Sequence, residues 1–247
     1  MERDVVLEAD RILAAAGGAK VTTRLLGGVA VAKHFHNSLP PQLSRNYGDI
    51  DVMVSGKEVR RLREVLLGLG YEANRPFNSL HGDRRMQFFD LENHRHLDVL
   101  VDVFEMCHKL EDIALSEHAQ TLSPADLLLT KLQVVQVTEK DLIDSSALLY
   151  EHEVRPGSGD LIDLNRLSDV ARKDWGWYTT IVDNLVKLND FVAQRLSADE
   201  GKVILERVAA ITAALEAAPK TIKWKARASV GRRVPWYVLP EEPNAPA

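Results

Sequence analysis

The chain has 247 residues, 45% of them hydrophobic, and a formal net charge of −5. That length and apolar content support a full core in one large domain or two small ones, and the acidic balance excludes a uniformly basic surface for nucleic acid. No apolar run approaches the roughly 18 residues of a membrane span, and the N-terminus is charged and amphipathic rather than signal-like. The single cysteine, Cys107, leaves no internal disulfide, so a cytoplasmic protein is expected.

Residues 3–16 carry Val5, Leu7, Ile12, Leu13 and Ala16 at helical spacing, and "GGAK" is expected to end that helix with a left-handed glycine. A short β-prone run, "VTTRLL", leads at once into Gly27-Gly28. "VAVAKHFHN" then reads as a helix ending before Pro40-Pro41. The loop "PPQLSRNYG" delivers the chain to the strand "DIDVMV", and "GKEVRRLREVLLGLG" has leucines on one helical face and arginines on the other. Two further strands are expected in "RRMQFFDLE" and "HLDVLVDVFEM". In the second, Leu97, Val99, Val101 and Val103 alternate with a face holding Asp98, Leu100 and Asp102.

From about residue 123 the pattern turns helical. "SPADLLLTKLQVV" opens with Ser123 as N-cap and Pro124 in the first turn. "TEKDLIDSSALLYEHE", "DLNRLSDVARK", "WGWYTTIVDNLVKLNDFVAQRL" and "DEGKVILERVAAITAALEAA" continue the series, with "RPGSGD" as a breaker. The tail is basic and aromatic, then acidic and proline-rich. The expected fold class is therefore α+β: a small mixed β-sheet core flanked by helices over 1–118, followed by a helical region over 119–247.

Asp49 and Asp51 raise the chemical question. Side chains two apart on a strand share a face, so the two anions lie side by side, where they repel each other and lose hydration. A divalent cation is the simplest compensation. If the next strand is adjacent, a third carboxylate converges on the same place: Asp98 or Asp102, which share a face, with Asp98 preferred because it lies at the same end of the sheet as Asp49 and Asp51. Hard carboxylate oxygens suit Mg²⁺, or Mn²⁺ in its place. Gly27 and Gly28 let backbone N–H groups approach phosphate oxygens. Asp-x-Asp alone also describes two solvated carboxylates at a strand entry; the glycine pair before it and Asp98 after it favour metal binding.

"LLGGVAVAKHF", "RNYGDIDVMV" and "RHLDVLV" together resemble the nucleotidyltransferase superfamily related to DNA polymerase β. The resemblance implies that Asp49, Asp51 and Asp98 are the catalytic, metal-holding carboxylates and that Gly27 and Gly28 position the nucleotide. The chain has Gly-Gly where Gly-Ser is more usual, so no hydroxyl touches a phosphate there. "DLLLTKLQ" and "EKDLIDSSALL" are similar to the AbiEii group, the nucleotidyltransferases of type IV toxin–antitoxin systems. That likeness adds Arg45, Lys131 and Asp141 as nucleotide-binding candidates, with Lys140 and Asp144 in the same segment. It implies a nucleoside triphosphate substrate, an RNA or tRNA acceptor and an antitoxin partner. A small-molecule acceptor such as an aminoglycoside is the alternative, and a catalytically silent nucleotide-binding or interaction module is the non-enzymatic one.

Other signals have plainer accounts. Lys140 and Asp144 have the spacing of an ordinary i, i+4 pair. His94, His96, Cys107 and His108 lack zinc-ligand spacing and read as structural. Lys223, Lys225, Arg227, Arg232 and Arg233 stand among Trp224, Trp236 and Tyr237, a mixture that suits single-stranded nucleic acid or a tail packing its aromatics on the core. Trp175, Trp177 and Tyr178 read as helix packing.

Overall fold

The structure, a computed structural model, describes residues 1–35, 39–116 and 118–239. Asp4 caps the first helix, α1 (Val5–Gly18), by accepting from the amides of Val6 and Leu7. The helix runs through both glycines, and the left-handed residue that follows is Lys20, at φ 57°. The expected glycine cap is thus displaced: Ala19 ends the helix, and Lys20 makes the turn into β1 (Thr23–Leu26).

Helix α2 (Gly27–Lys33) begins on the glycine pair itself and stops at His34. It is shorter than the helix expected over "VAVAKHFHN", whose His36 and Asn37 lie outside the described residues. After β2 (Ile50–Val54) and α3 (Val59–Gly68), the chain makes β3 (Glu72–Ala73) and α4 (Arg75–His81), both too short to show a period. Strands β4 (Arg85–Asp90) and β5 (Arg95–Val101) form the next hairpin.

The sheet order is β1-β2-β5-β4-β3. Only the central pair, β2 and β5, is parallel; the others are antiparallel, so the sheet is mixed. The strand expected to continue through Asp102 breaks there. Asp102 takes φ 59° and its carboxylate accepts the amide of Gly56 at 2.9 Å, so it no longer shares a face with Asp98. Short ribbons follow, β6 (Phe104–Glu105) with β7 (Lys109–Leu110).

Helices α5 (Pro124–Leu132) and α6 (Glu139–Glu151) then pack on the sheet layer. Ser123 caps α5 as expected, and Thr138 closes a capping box with Asp141 on α6. The parallel ribbon β8 (Val154–Arg155) and β9 (Ile162–Asp163) frames the glycine-rich turn. Helices α7 (Leu164–Lys173), α8 (Trp175–Arg195), α9 (Ala198–Ala217) and α10 (Ile222–Val230) complete the helical region.

One buried cluster runs from Ala9 and Val52 in the sheet layer to Leu128, Leu185 and Ile211 in the helices. The segment ahead of α5 is stitched to the sheet: Leu25 N–H donates to Gln120, and Leu122 N–H donates to Leu25. The chemistry at the end of β2 is therefore roofed by α5 and α6, which bring side chains from the second half of the chain over it. Among the described residues no helix is long and apolar enough to cross a membrane.

Candidate active site

The parallel register pairs Asp51 with Asp98 directly, so two carboxylates occupy the same level of the two central strands. Asp51 is half-buried, Asp98 is 17% exposed, and Asp49 lies in the open just ahead of β2. Gly27 is at φ 69°, and a Cβ there would lie 2.0 Å from Asp51 Oδ2. Both facts demand glycine: the backbone conformation is left-handed, and the carboxylate leaves no space for a side chain. A Cβ at Gly28 would meet the Arg45 guanidinium at 2.3 Å and the Tyr47 ring at 2.7 Å. The glycine turn thus lies between the acidic pair and a basic wall.

Asp51 accepts no hydrogen bond from any described residue. Burial, with the Asp98 carboxylate beside it, pushes its pKa up to about 7. Lys131 and Arg85 act on it through space in the opposite sense without cancelling that rise. Asp98, by contrast, accepts two hydrogen bonds from Arg85, at 3.0 Å from Nε and 2.9 Å from Nη2. Arg85 sits on β4 two residues before Gln87, the register partner of Asp98, a diagonal reach that a long side chain makes easily. Sequence reading missed Arg85; its only signal was an arginine at a strand start opposite an aspartate whose pairing was not yet known.

The basic wall is itself anchored. Arg45 donates from Nε and Nη2 to the two oxygens of Asp144, both at 2.7 Å, and its guanidinium stacks 4.2 Å above the Tyr47 ring. Burial and the Asp144 charge push the Tyr47 hydroxyl up to about 12, so it stays neutral. Lys131 Nζ lies 2.8 Å from Asp144 and 3.5 Å from Asp141. Asp144 is fully buried and serves both cations, which corrects the expected helical pair with Lys140: Lys140 points to solvent. Asp141 spends one oxygen on the Thr138 amide and hydroxyl, so its role within the capping box is fixed locally.

The structure therefore brings Gly27, Gly28, Arg45, Asp51, Asp98 and Lys131 together, holds Asp49 at the edge, and ties Asp141 to the helix start behind Lys131. A cleft of about 280 Å³, lined by Phe35, Leu39, Ser44, Arg45 and Tyr47, opens beside the basic wall. The acidic pair fits a hard divalent cation: its donors are all carboxylate oxygens, and one of them, Asp51, accepts no hydrogen bond from a described residue.

Of the remaining sequence signals, His108 and Cys107 are packing residues, while His94 and His96 are exposed. His108 is buried against Trp177 with Nε2 2.8 Å from Thr180 Oγ1, and burial pushes its pKa down to about 4. Cys107 is buried. In the basic tail, Arg227 donates to the carbonyls of Gly231 and Val234 and lies over Trp175, and Arg232 pairs with Asp183. The acidic, proline-rich end of the tail lies outside the described residues.

A family model described as "Uncharacterised nucleotidyltransferase" matches residues 2–194. A search of the curated proteins gives no match. Among solved structures, the chain is similar to the lincosamide antibiotic adenylyltransferase LnuA in its lincomycin-bound crystal form. That likeness has 19% identity and a TM-score of 0.39, covering 56% of this chain and 92% of that one. It is also similar to JHP933 from Helicobacter pylori, at 13% identity and a TM-score of 0.36, covering 91% of this chain and 95% of that one. The family match spans well over half the sequence and contains the glycine turn, the three aspartates and the basic wall: the chain belongs to this family of nucleotidyltransferases.

Proposed function

We propose that the chain transfers a nucleoside monophosphate from a nucleoside triphosphate to an acceptor hydroxyl, with Asp49, Asp51 and Asp98 holding Mg²⁺, or Mn²⁺ in its place. The observation that carries this is the Asp51 carboxylate, which lies against the Gly27 backbone, level with Asp98 on the neighbouring strand, and accepts no hydrogen bond from a described residue. A divalent ion there supplies positive charge to the phosphates and a Lewis acid at the α-phosphoryl group. The protein's own share is orientation and charge placement.

Gly27 and Gly28 let the backbone come close to phosphate oxygens. Arg45 and Lys131, aligned by Asp144, face the β- and γ-phosphates, and Asp141 steadies Lys131. Asp98 takes the proton of the acceptor hydroxyl as its oxygen bonds to the α-phosphorus; the bond to the bridging oxygen breaks and pyrophosphate leaves. The centre then draws on both the core over 1–118 and the helical region over 119–247.

RNA is the acceptor we favour. Supporting it is the tail, where a cavity of about 340 Å³ is lined by Trp175, Trp224, Trp236, Lys223 and Arg227, cations among aromatics that suit stacked bases. A toxin-like role with an antitoxin partner, as in the AbiEii group, and a cytoplasmic location with Cys107 reduced belong to the same proposal. The test is transfer of label from each of the four α-phosphate-labelled triphosphates onto total RNA with Mg²⁺, beside an Asp49→Ala/Asp51→Ala double variant. Label on RNA with the wild type alone supports the proposal. Label on an aminoglycoside instead replaces the acceptor. Triphosphate binding with no transfer to either would leave a nucleotide-binding module.

A further inference from the structure

A second group of metal-ligating side chains lies at the opposite end of α2 from the glycine turn. His34 ends α2, His152 ends α6, and Asp160 sits in the turn between β8 and β9. One ligand atom from each lies within 4.8 Å of the others, and both histidines are buried while Asp160 is 56% exposed. The two rings meet edge to face with centroids 4.9 Å apart.

The distances are those of an ion pair and also leave room for a bound metal ion. His34 Nδ1 is 3.6 Å and His152 Nδ1 is 3.4 Å from the same oxygen, Asp160 Oδ1. Hydrogen bonds between nitrogen and oxygen fall at roughly 2.7–3.2 Å, so both contacts are long for one. Ligands about 2.0–2.1 Å from a tetrahedral ion stand about 3.3–3.4 Å apart, close to the observed spacing. His34 Nε2 is 2.8 Å from Thr121 Oγ1. When that nitrogen donates to Thr121, Nδ1 carries the lone pair a metal needs, and the hydroxyl fixes the ring, as outer partners of metal-bound histidines do. Thr121 is in turn held by a bridge to Leu25 in β1.

We propose that His34, His152 and Asp160 bind one divalent transition-metal ion, Zn²⁺ by the chemistry of two imidazoles and a carboxylate, at a site separate from the three aspartates. Nitrogen ligands argue against Mg²⁺, which takes oxygen donors. Among the described residues three side chains supply ligands, and zinc sites with three protein ligands take water as the fourth. The ion ties the end of α2 in the sheet layer and the end of α6 in the helical region to the glycine-rich turn at 156–161, so its role is to clamp that turn.

The full chain, stripped with chelator, is titrated with Zn²⁺ and separately with Co²⁺, whose visible absorption reports tetrahedral coordination. Expected are one tight Zn²⁺ equivalent in Asp49→Ala/Asp51→Ala with the same affinity as in the wild type, and at least about tenfold weaker binding at that site in Asp160→Asn. Slower hydrogen exchange over 155–161 should accompany zinc in the wild type and be absent in Asp160→Asn. Asp160 is exposed, so its variant tests the site without emptying a core position. Zinc affinity unchanged in Asp160→Asn, or lost in the double aspartate variant, overturns the proposal.

Discussion

Glu8 and Asp51 are both carboxylates taken out of bulk water, and the protein treats them in opposite ways. Glu8 on α1 accepts from Arg11 Nε and Nη2 at 2.8 and 2.7 Å, from the Tyr71 hydroxyl at 2.7 Å, and from the Glu2 amide at 2.8 Å. Burial would raise its pKa, but these donors overcome burial and hold it down at about 2. Asp51 has a glycine backbone on one side, a second carboxylate on the other, and a pKa of about 7. An anion whose every lone pair is answered by the protein is part of the architecture. One left unanswered, beside another anion, is kept for a cation that arrives with the substrate.

Replacing both Asp49 and Asp51 with alanine should break the contrast most severely. Transfer activity is expected to fall roughly 10³-fold or more, since positive charge on the phosphates is lost, while circular dichroism and the melting temperature hold or rise. An active double variant would remove Asp51 from the chemistry. Glu8→Gln should do the reverse. It leaves Arg11 and Tyr71 without their anion and is expected to cost roughly 2–4 kcal/mol in denaturant titration, short of a fully buried pair because Arg11 keeps some water. Activity per folded molecule should not change.

A finer test uses pH. A carboxylate whose folded pKa is raised contributes stability in acid that is lost as the pH rises through the folded value. Without divalent ions the wild type should therefore lose stability relative to Asp51→Asn between about pH 4 and about pH 7, by roughly 1–3 kcal/mol in all. Glu8 runs the other way: its contribution is present above the ordinary glutamate range and lost as the pH falls toward 2. If the wild-type and Asp51→Asn stability profiles superimpose, burial and Asp98 do not raise the Asp51 pKa. The smallest effect should be Lys140→Ala, within about 0.5 kcal/mol, because Asp144 is engaged by Arg45 and Lys131 instead.

The same contrast shows why part of the site was legible and part was not. Gly27-Gly28 and Asp49-x-Asp51 are contiguous signals, each at a strand boundary that local pattern reveals. Asp98 was readable as a carboxylate on a later strand, but its level opposite Asp51 is a matter of register, which no local pattern specifies. Asp102, which looked equivalent, leaves the face at a single left-handed residue. Arg85 and the Asp144 anchor were invisible for the same reason: one reaches diagonally across strands, the other across 99 positions of sequence.

By itself the sequence determined the order of the main elements, the cap at Ser123, the glycine turn and the pair of adjacent aspartates, because capping, period and turn chemistry act within a few residues. Tertiary structure alone decided which side chains compensate which charges. It set Arg85 on Asp98, Arg45 and Lys131 on Asp144, no hydrogen-bond donor on Asp51 among the described residues, and His34 near His152. Those choices depend on strand register and helix docking, where free energy comes from contacts between residues far apart in the chain and the closing of long loops sets the geometry.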